Sequence, residues 1–286
     1  MNKLILDTAG RKNRLDAISA DPPRGMTKKK AEKRFGTLCE ELFNLQDAMW
    51  GAKVHSVLVV LQGRDSAGKD GTIKHVAGCL NPRGVCVTSF GIPTTEEREH
   101  DFLWRVHRHA PRLGEFALFN RSHYEDVLVV RVHDLVPKKL WKERYNHIND
   151  FEELLAEHGT IVLKYFLHIT KDEQEQRLLE REKATETAWK LNPNDWKERD
   201  YWDEYTTAYE DAISKTAAVH APWTIVPANA KWYRNLVVAE SIAAALRDHR
   251  RNWEKTLADM GKSGRAGLDA YRAQIKTQQK KTRNHQ

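Results

Sequence analysis

Cysteine is scarce in this chain, with three in 286 residues. Cys39, Cys79 and Cys86 have no C-x-x-C spacing and no histidine at zinc-finger distance, so neither a disulfide framework nor a structural metal is expected. Long apolar runs are missing too. The stretch Val57 to Leu61 ends at Gln62, far short of the roughly 18 residues a membrane span needs, and the opening Met1-Asn2-Lys3 begins no apolar signal segment. The expectation is a soluble, unexported chain in a reducing cytoplasm, with no membrane partner. Internal repeats are absent, and 40% hydrophobic residues exclude disorder for the bulk of the chain.

The formal charge is +7, and it is unevenly spread. Residues 1–35 hold 10 Lys and Arg against 4 Asp and Glu, and residues 247–286 hold 11 against 4, which leaves the middle with 26 against 32. An acidic body with two basic ends must grip any anion through a few placed cations rather than through its overall field. Three segments follow: an extended N-terminal arm at 1–27, a central domain at 28–250, and a basic tail at 251–286 that is loosely helical or disordered after about Trp253.

Apolar spacing at Phe35, Leu38, Leu42, Leu45 and Met49 predicts a helix from Lys28 to about Ala52. Five apolar, β-branched runs, at 54–61, 84–90, 116–119, 160–169 and 223–226, have the look of buried strands. Helical stretches alternate with them, two announced by capping boxes at Thr94 with Glu97 and Thr170 with Glu173. Parallel strands need crossover helices, so the fold class is α/β, a five-stranded parallel sheet sandwiched by helices. A polar, tryptophan-rich stretch at about 178–209, broken by LNPND at 191–195, predicts a mobile helical hairpin that acts as a lid.

Between the first strand and a helix predicted at 72–80, residues 63–70 read GRDSAGKD and fit G-x-x-x-x-G-K. Loop amides and a helix N-terminus there converge on one place, and Lys69 adds a full charge, so phosphate is the natural occupant. The candidate phosphate-binding residues are Gly63, Arg64, Ser66, Ala67, Gly68, Asp70, Gly71, Thr72 and Lys74, joined by Arg177. In the usual pattern a Ser or Thr follows the lysine and ligates Mg²⁺, but here Asp70 does, and Asp65 sits inside the loop. Carboxylates so placed imply phosphate chemistry bridged by a cation. After the third strand, NRSHYED at 120–126 lies where open α/β sheets bind ligands. Arg121 has the planar fork for a transferring phosphoryl group, Asn120 stands in the place of a Walker B aspartate, and Glu125 or Asp126 could take up a metal, an acceptor hydroxyl or a base amine. Arg177 and Arg181, four apart, face one way and lead into the lid. His100, His107 and His109 are expected in packing or surface roles rather than as metal ligands.

With these motifs in place, the chain resembles the polyphosphate kinase 2 family. GRDSAGKDGTIK at 63–74, LNPRGV at 80–85, PTTEEREHDFLWRVHR at 93–108, FNRSHYEDVLVVRV at 119–132, WKLNPNDW at 189–196 and APWTIVPA at 221–228 fall in family order. NRSHYEDVLV is similar to the class III subset, in which Asn replaces the Walker B aspartate. Before the tryptophan this chain has KATETA at 183–188 where many members carry Asp-Pro. The resemblance implies a thymidylate-kinase-like P-loop kinase fold. It also implies Mg²⁺-dependent, reversible phosphoryl transfer from inorganic polyphosphate to nucleoside mono- and diphosphates, AMP to ADP to ATP, with GMP and GDP as further acceptors, and a homo-oligomer, dimer or tetramer. Carried over by position, Asp65 with Asn120 organises metal, Lys69, Arg121 and Arg181 clamp phosphates, and Glu125 selects the nucleotide. Two rival readings stand beside it: an ATP-dependent nucleoside monophosphate kinase, and a nucleic-acid-binding P-loop protein that uses the basic ends, although nucleic acid is not the partner the motifs favour.

Overall fold

The computed structural model describes residues 5–6 and 14–283. The strands are β1 (Ile5–Leu6), β2 (Ser56–Gln62), β3 (Val85–Ser89), β4 (Phe116–Asn120), β5 (Thr160–His168) and β6 (Trp223–Pro227), in the sheet order β1-β6-β5-β2-β4-β3. β2 to β6 are parallel, as expected, while β1 adds an antiparallel edge with Ile5 opposite Thr224 and Leu6 opposite Trp223. The helices are α1 (Lys28–Ala52), α2 (Lys69–Ala77), α3 (Thr95–Glu99), α4 (Trp104–His107), α5 (Val129–Val132), α6 (Lys138–Glu157), α7 (Lys171–Lys183), α8 (Pro193–Lys197), α9 (Trp202–Thr216), α10 (Lys231–Arg247) and α11 (Arg250–Arg283).

The period-2 geometry of β2 explains why the sheet is covered on both faces. Val57, Val59 and Leu61 point into one core with Leu42, Met49, Ile242 and Leu246 from α1 and α10. Leu58 and Val60 point into the other, with Ile148 and Phe151 of α6 and Ile213 of α9. β2 lies between β4 and β5, so the loops after β2 and β4 open beside each other at one edge of the sheet.

Several expectations need correction. β3 is not a buried strand: it is an edge, with Cys86 and Val87 exposed. α2 starts at Lys69, three residues early, because Gly68 adopts a left-handed N-cap. Only Thr94 makes a full capping box; at Thr170 the side chain caps Glu173, but the Glu173 carboxylate turns to Arg177 and the Thr170 amide donates to Asn229. Cys39 and Cys79, 40 residues apart, are disulfide-bonded where α1 packs beside the end of α2, a proximity that sequence spacing does not encode. The lid is not a two-helix hairpin. α7 runs into a 3₁₀ turn at Thr185–Lys190, then α8, a 3₁₀ turn at Glu198–Tyr201 and α9. The tail is a 34-residue helix rather than disorder, its first turns seated by buried Trp253 and most of the rest exposed. The described part of the N-terminal arm is docked as well, with Leu15 and Ala20 buried. Among the described residues no helix is long and apolar enough to cross a membrane.

Candidate active site

The loop after β2 is shaped by glycines with no substitute. Gly63 (φ 152°) would bring a Cβ to 2.9 Å from the Leu167 carbonyl oxygen, and at Gly68 (φ 98°) a Cβ would fall 1.8 Å from Arg234 Nη1. Ser66 is also left-handed, at φ 62°. Inside this curve Lys69 Nζ donates to Gly63 O at 2.6 Å and Arg64 O at 3.1 Å. Burial draws its pKa down and Asp65 pulls the other way, so the ammonium is desolvated and ready for an anionic partner.

Two buried arginines hold the loop from behind. Arg177 on α7 donates through Nη1 to Ser66 O (2.9 Å) and Ala67 O (3.1 Å), and through Nη2 to Ala228 O (2.6 Å) and Asn229 O (2.8 Å). Arg234 on α10 donates to Ala67 O at 3.3 Å, and burial pushes its pKa down to about 10. Arg64 points away from the loop's mouth: its guanidinium lies 3.6 Å from the Trp202 ring centroid and donates to Trp202 O and Thr206 Oγ1. Arg177, a candidate phosphate ligand, thus has Nε, Nη1 and Nη2 all engaged in holding protein, whereas Arg64 spends Nη2 on α9.

At the end of β4, Arg121 (φ 61°) turns toward the loop and donates from Nη2 to Asp65 Oδ1 at 2.7 Å. Burial would depress the guanidinium, but Glu125 and Asp65 outweigh it and hold its pKa above the ordinary value. Glu125 is half-buried, and burial raises its pKa against the pull of Arg121 and Lys69. Asn120 Nδ2 donates to Asp70 Oδ1 at 2.7 Å. The second Asp70 oxygen takes Lys190 Nζ of the lid at 3.0 Å. Arg181 bridges lid and loop, donating to Asp195 Oδ2 and Ser66 Oγ at 2.7 Å each.

Two chambers meet at this point. The first, about 650 Å³, is lined by seven cationic side chains, Lys69, Arg121, Arg177, Arg181, Lys190, Lys231 and Arg234, against four carboxylates, Asp65, Asp70, Glu180 and Asp195. The second, about 510 Å³, carries Glu125, His133, Trp202, Tyr205 and Tyr209. Both are bounded by Asp65, Arg121 and Asp195. One chamber suits a polyanion, and the other suits a planar base with polar edges.

Other candidates are placed elsewhere. Thr72 is buried, with its hydroxyl donating to Gly68 O, and Lys74 is exposed on α2 beside neither chamber. Asp126 is buried behind the site with Arg144 at 3.2 Å and Arg105 at 3.6 Å, not among metal donors. His100 stacks on Trp104, His107 meets Phe151 and His109 meets Phe90. Sequence reasoning missed Lys231, Arg234 and Trp189 in the first chamber. For the two α10 residues a signal existed, since they follow the last strand at the same sheet edge.

Among the described residues no cluster of three His, Cys, Asp or Glu could hold a metal by itself. The donor set still fits a hard cation: Asp65 and Asp70 line the phosphate chamber, and Asn120 Oδ1 is buried there with no hydrogen-bond partner. A few oxygen ligands from protein, completed by phosphate and water, match the habits of Mg²⁺.

The sequence profile described as Polyphosphate kinase 2 (PPK2) matches residues 25–254. An AMP/ADP-polyphosphate phosphotransferase of Meiothermus ruber is 51% identical over 219 residues, 77% of this chain and 82% of that one. An ADP-polyphosphate phosphotransferase of Rhodopseudomonas palustris is 41% identical over 232 residues, 77% of this chain and 80% of its own. The crystal structure of polyphosphate kinase 2 from Arthrobacter aurescens superposes with a TM-score of 0.81 at 39% identity, covering 84% of this chain and 87% of that one.

Proposed function

The chain belongs to the polyphosphate kinase 2 family, and from that premise we propose that it moves the terminal phosphoryl group of inorganic polyphosphate to nucleoside mono- and diphosphates. AMP goes to ADP and ADP to ATP, with GMP and GDP as further acceptors, as in the class III subset. The supporting observation is the pair of chambers joined at the Asp65–Arg121 contact. The cationic chamber takes the polyphosphate end and the aromatic chamber takes the nucleotide, so that donor and acceptor phosphates meet at the shared wall.

In the step itself an acceptor phosphate oxygen forms a bond to the terminal phosphorus, and the bridging P–O bond breaks, leaving a polymer one unit shorter that carries the released charge. Lys69 and the loop amides hold the end of the chain, while Arg121 follows charge onto the transferring group. Arg181 brings the lid over loop and substrate and limits water. Glu125 is placed to meet the polar edge of the base. Mg²⁺ held by Asp65, Asp70 and Asn120 would neutralise phosphate charge when bound. Similar phosphoanhydrides stand on both sides, so concentrations set the direction.

The functional unit in this reading is residues 28–250 with the lid at about 178–209, flanked by the arm and the basic tail, and it assembles as a homo-oligomer, dimer or tetramer. We assign it to the cytoplasm, where nucleotides are supplied and where the Cys39–Cys79 disulfide would be open to reduction. Incubation with AMP, Mg²⁺ and long-chain polyphosphate, with no ATP present, tests the reading. Formation of ADP and then ATP is expected. Product formed only when ATP is supplied as donor would favour a nucleoside monophosphate kinase instead.

A further inference from the structure

The match to the family ends at residue 254, yet α11 continues to Arg283, so most of this helix lies beyond the matched residues. Residues 250–283 carry ten Lys or Arg against three acids, while the middle of the chain is net negative. At about 100° per residue, Arg251, Lys255, Lys262, Arg265, Lys276 and Lys280 fall within an arc of roughly 80°. All six are exposed. The apolar residues occupy a roughly opposite arc. It begins with Trp253, whose Nε1 donates to His55 Nδ1 at 3.0 Å, and Leu257, which packs against Gly51 of α1. The helix is thereby seated on the body with its cations turned outward.

We propose that this cationic arc is a second binding site for inorganic polyphosphate, which holds a distant part of the same polymer whose end is consumed in the active site. The inference rests on the proposed reaction, since it needs a long linear polyanion as substrate. Its chemistry favours polyphosphate over nucleic acid: single-strand binders interleave aromatic faces with cations, and here the aromatic residues, Trp253 and Tyr271, lie on the apolar arc. Trp253 meets the chain at the start of β2, and the phosphate loop lies at the other end of that seven-residue strand, about 23 Å away at ~3.3 Å per residue. Only a polymer long enough to cover that span can engage both places. The site therefore raises the local supply of long chains without touching the chemistry, and like any polyanion contact it weakens with salt.

The test is full-length protein carrying K255E, R265E, K276E and K280E together, with the corresponding four glutamine substitutions as a milder variant. For long-chain polyphosphate at low salt the charge-reversed protein is expected to show KM raised about fivefold or more, the glutamine protein a smaller rise, and the gap should close at high salt. For chains too short to span the two sites, KM and kcat should match wild type. Unchanged KM for long chains, or an equal rise at both lengths, overturns the proposal. Equilibrium binding of long-chain polyphosphate, with single-stranded RNA of matched charge as competitor, separates the remaining outcomes. Displacement by RNA at lower concentration assigns the arc to nucleic acid. Wild-type protein that binds long chains through α11 but transfers nothing from them defeats the reaction and leaves the binding site standing.

Discussion

At the scale of single residues, the site depends on desolvated cations whose partners are few. Lys69 is buried and bonded to two loop carbonyls, and Arg121 faces Asp65 across the wall between the chambers. Removing one aimed donor typically costs about 10² to 10³ in rate, so Lys69→Ala and Arg121→Ala are each expected to lose at least about 10² in kcat. Retained thermal unfolding would show that the loss is chemical, and activity within tenfold of wild type would contradict the roles given to them. Glu125 makes a separate prediction from the raised direction of its pKa. A carboxyl raised in the folded state stabilises below its unfolded pKa, and that contribution is lost as pH climbs through the folded value. Glu125→Gln should therefore raise Tm at pH 7 relative to wild type, and the gain should vanish toward and below the ordinary value of 4.5. Nucleotide KM should rise in the same variant. A Tm gain that persists undiminished at acid pH would contradict the burial argument. These residues were legible from the sequence because their type and spacing are the chemistry. Arg234 and Lys231 leave only a faint sign, their place just after the last strand, because a cation on the last helix reaches the loop only through the closure of the fold.

Elements place those residues, and their traces in the sequence are unequal. α1 was predicted to its ends because a 25-residue amphipathic pattern is long enough to override local ambiguity. β3 was misread as buried, since an apolar run does not reveal whether a strand lies at the edge of its sheet. The segment at about 178–209 differs from the hairpin its sequence suggests, because its short turns are held by individual contacts such as Arg181 with Asp195 and Lys190 with Asp70, not by periodicity. Arg177 shows how an element braces a site: α7 carries it to the wall of the cationic chamber, where it satisfies four backbone carbonyls at 66, 67, 228 and 229. Arg177→Met keeps the apolar stem but takes the guanidinium from all four carbonyls, of which Ala67 O keeps Arg234. A loss of about 3 kcal/mol is expected, read as a Tm fall of roughly 8 °C. A loop that shifts by even about 1 Å should also cost activity. Unaltered Tm would mean that water replaces the guanidinium at little cost.

For the whole molecule, the question is what the two basic ends do to a fold whose working parts lie between them. They are not equivalent appendages. α11 leaves the body after its first turns, whereas the described arm is stitched across the sheet edge. β1 pairs with β6, the Leu15 amide donates to Glu210 at 2.8 Å, His168 Nε2 lies 3.0 Å from Ile18 O, and the Asn229 amide donates to Ala20 O at 3.0 Å. Composition could not show this docking, because an arm rich in Lys, Arg and Pro reads as solvated chain until the groove that receives Leu15 exists. Removing residues 1–24 would expose the β6 edge and the Leu15 pocket together. Burial of one leucine is worth about 2 kcal/mol, and each lost hydrogen bond adds about 1 kcal/mol, so a destabilisation of roughly 3–5 kcal/mol is expected, with self-association through the bared strand. None of the described arm residues lines either chamber, so kcat per folded molecule should stay within about threefold of wild type at temperatures well below the lowered Tm. Calorimetry and light scattering beside a polyphosphate-dependent assay would separate the two effects. A shortened protein as stable as the full chain would mean that these contacts contribute nothing to the fold, while a stable but inactive one would move the arm from scaffold to site.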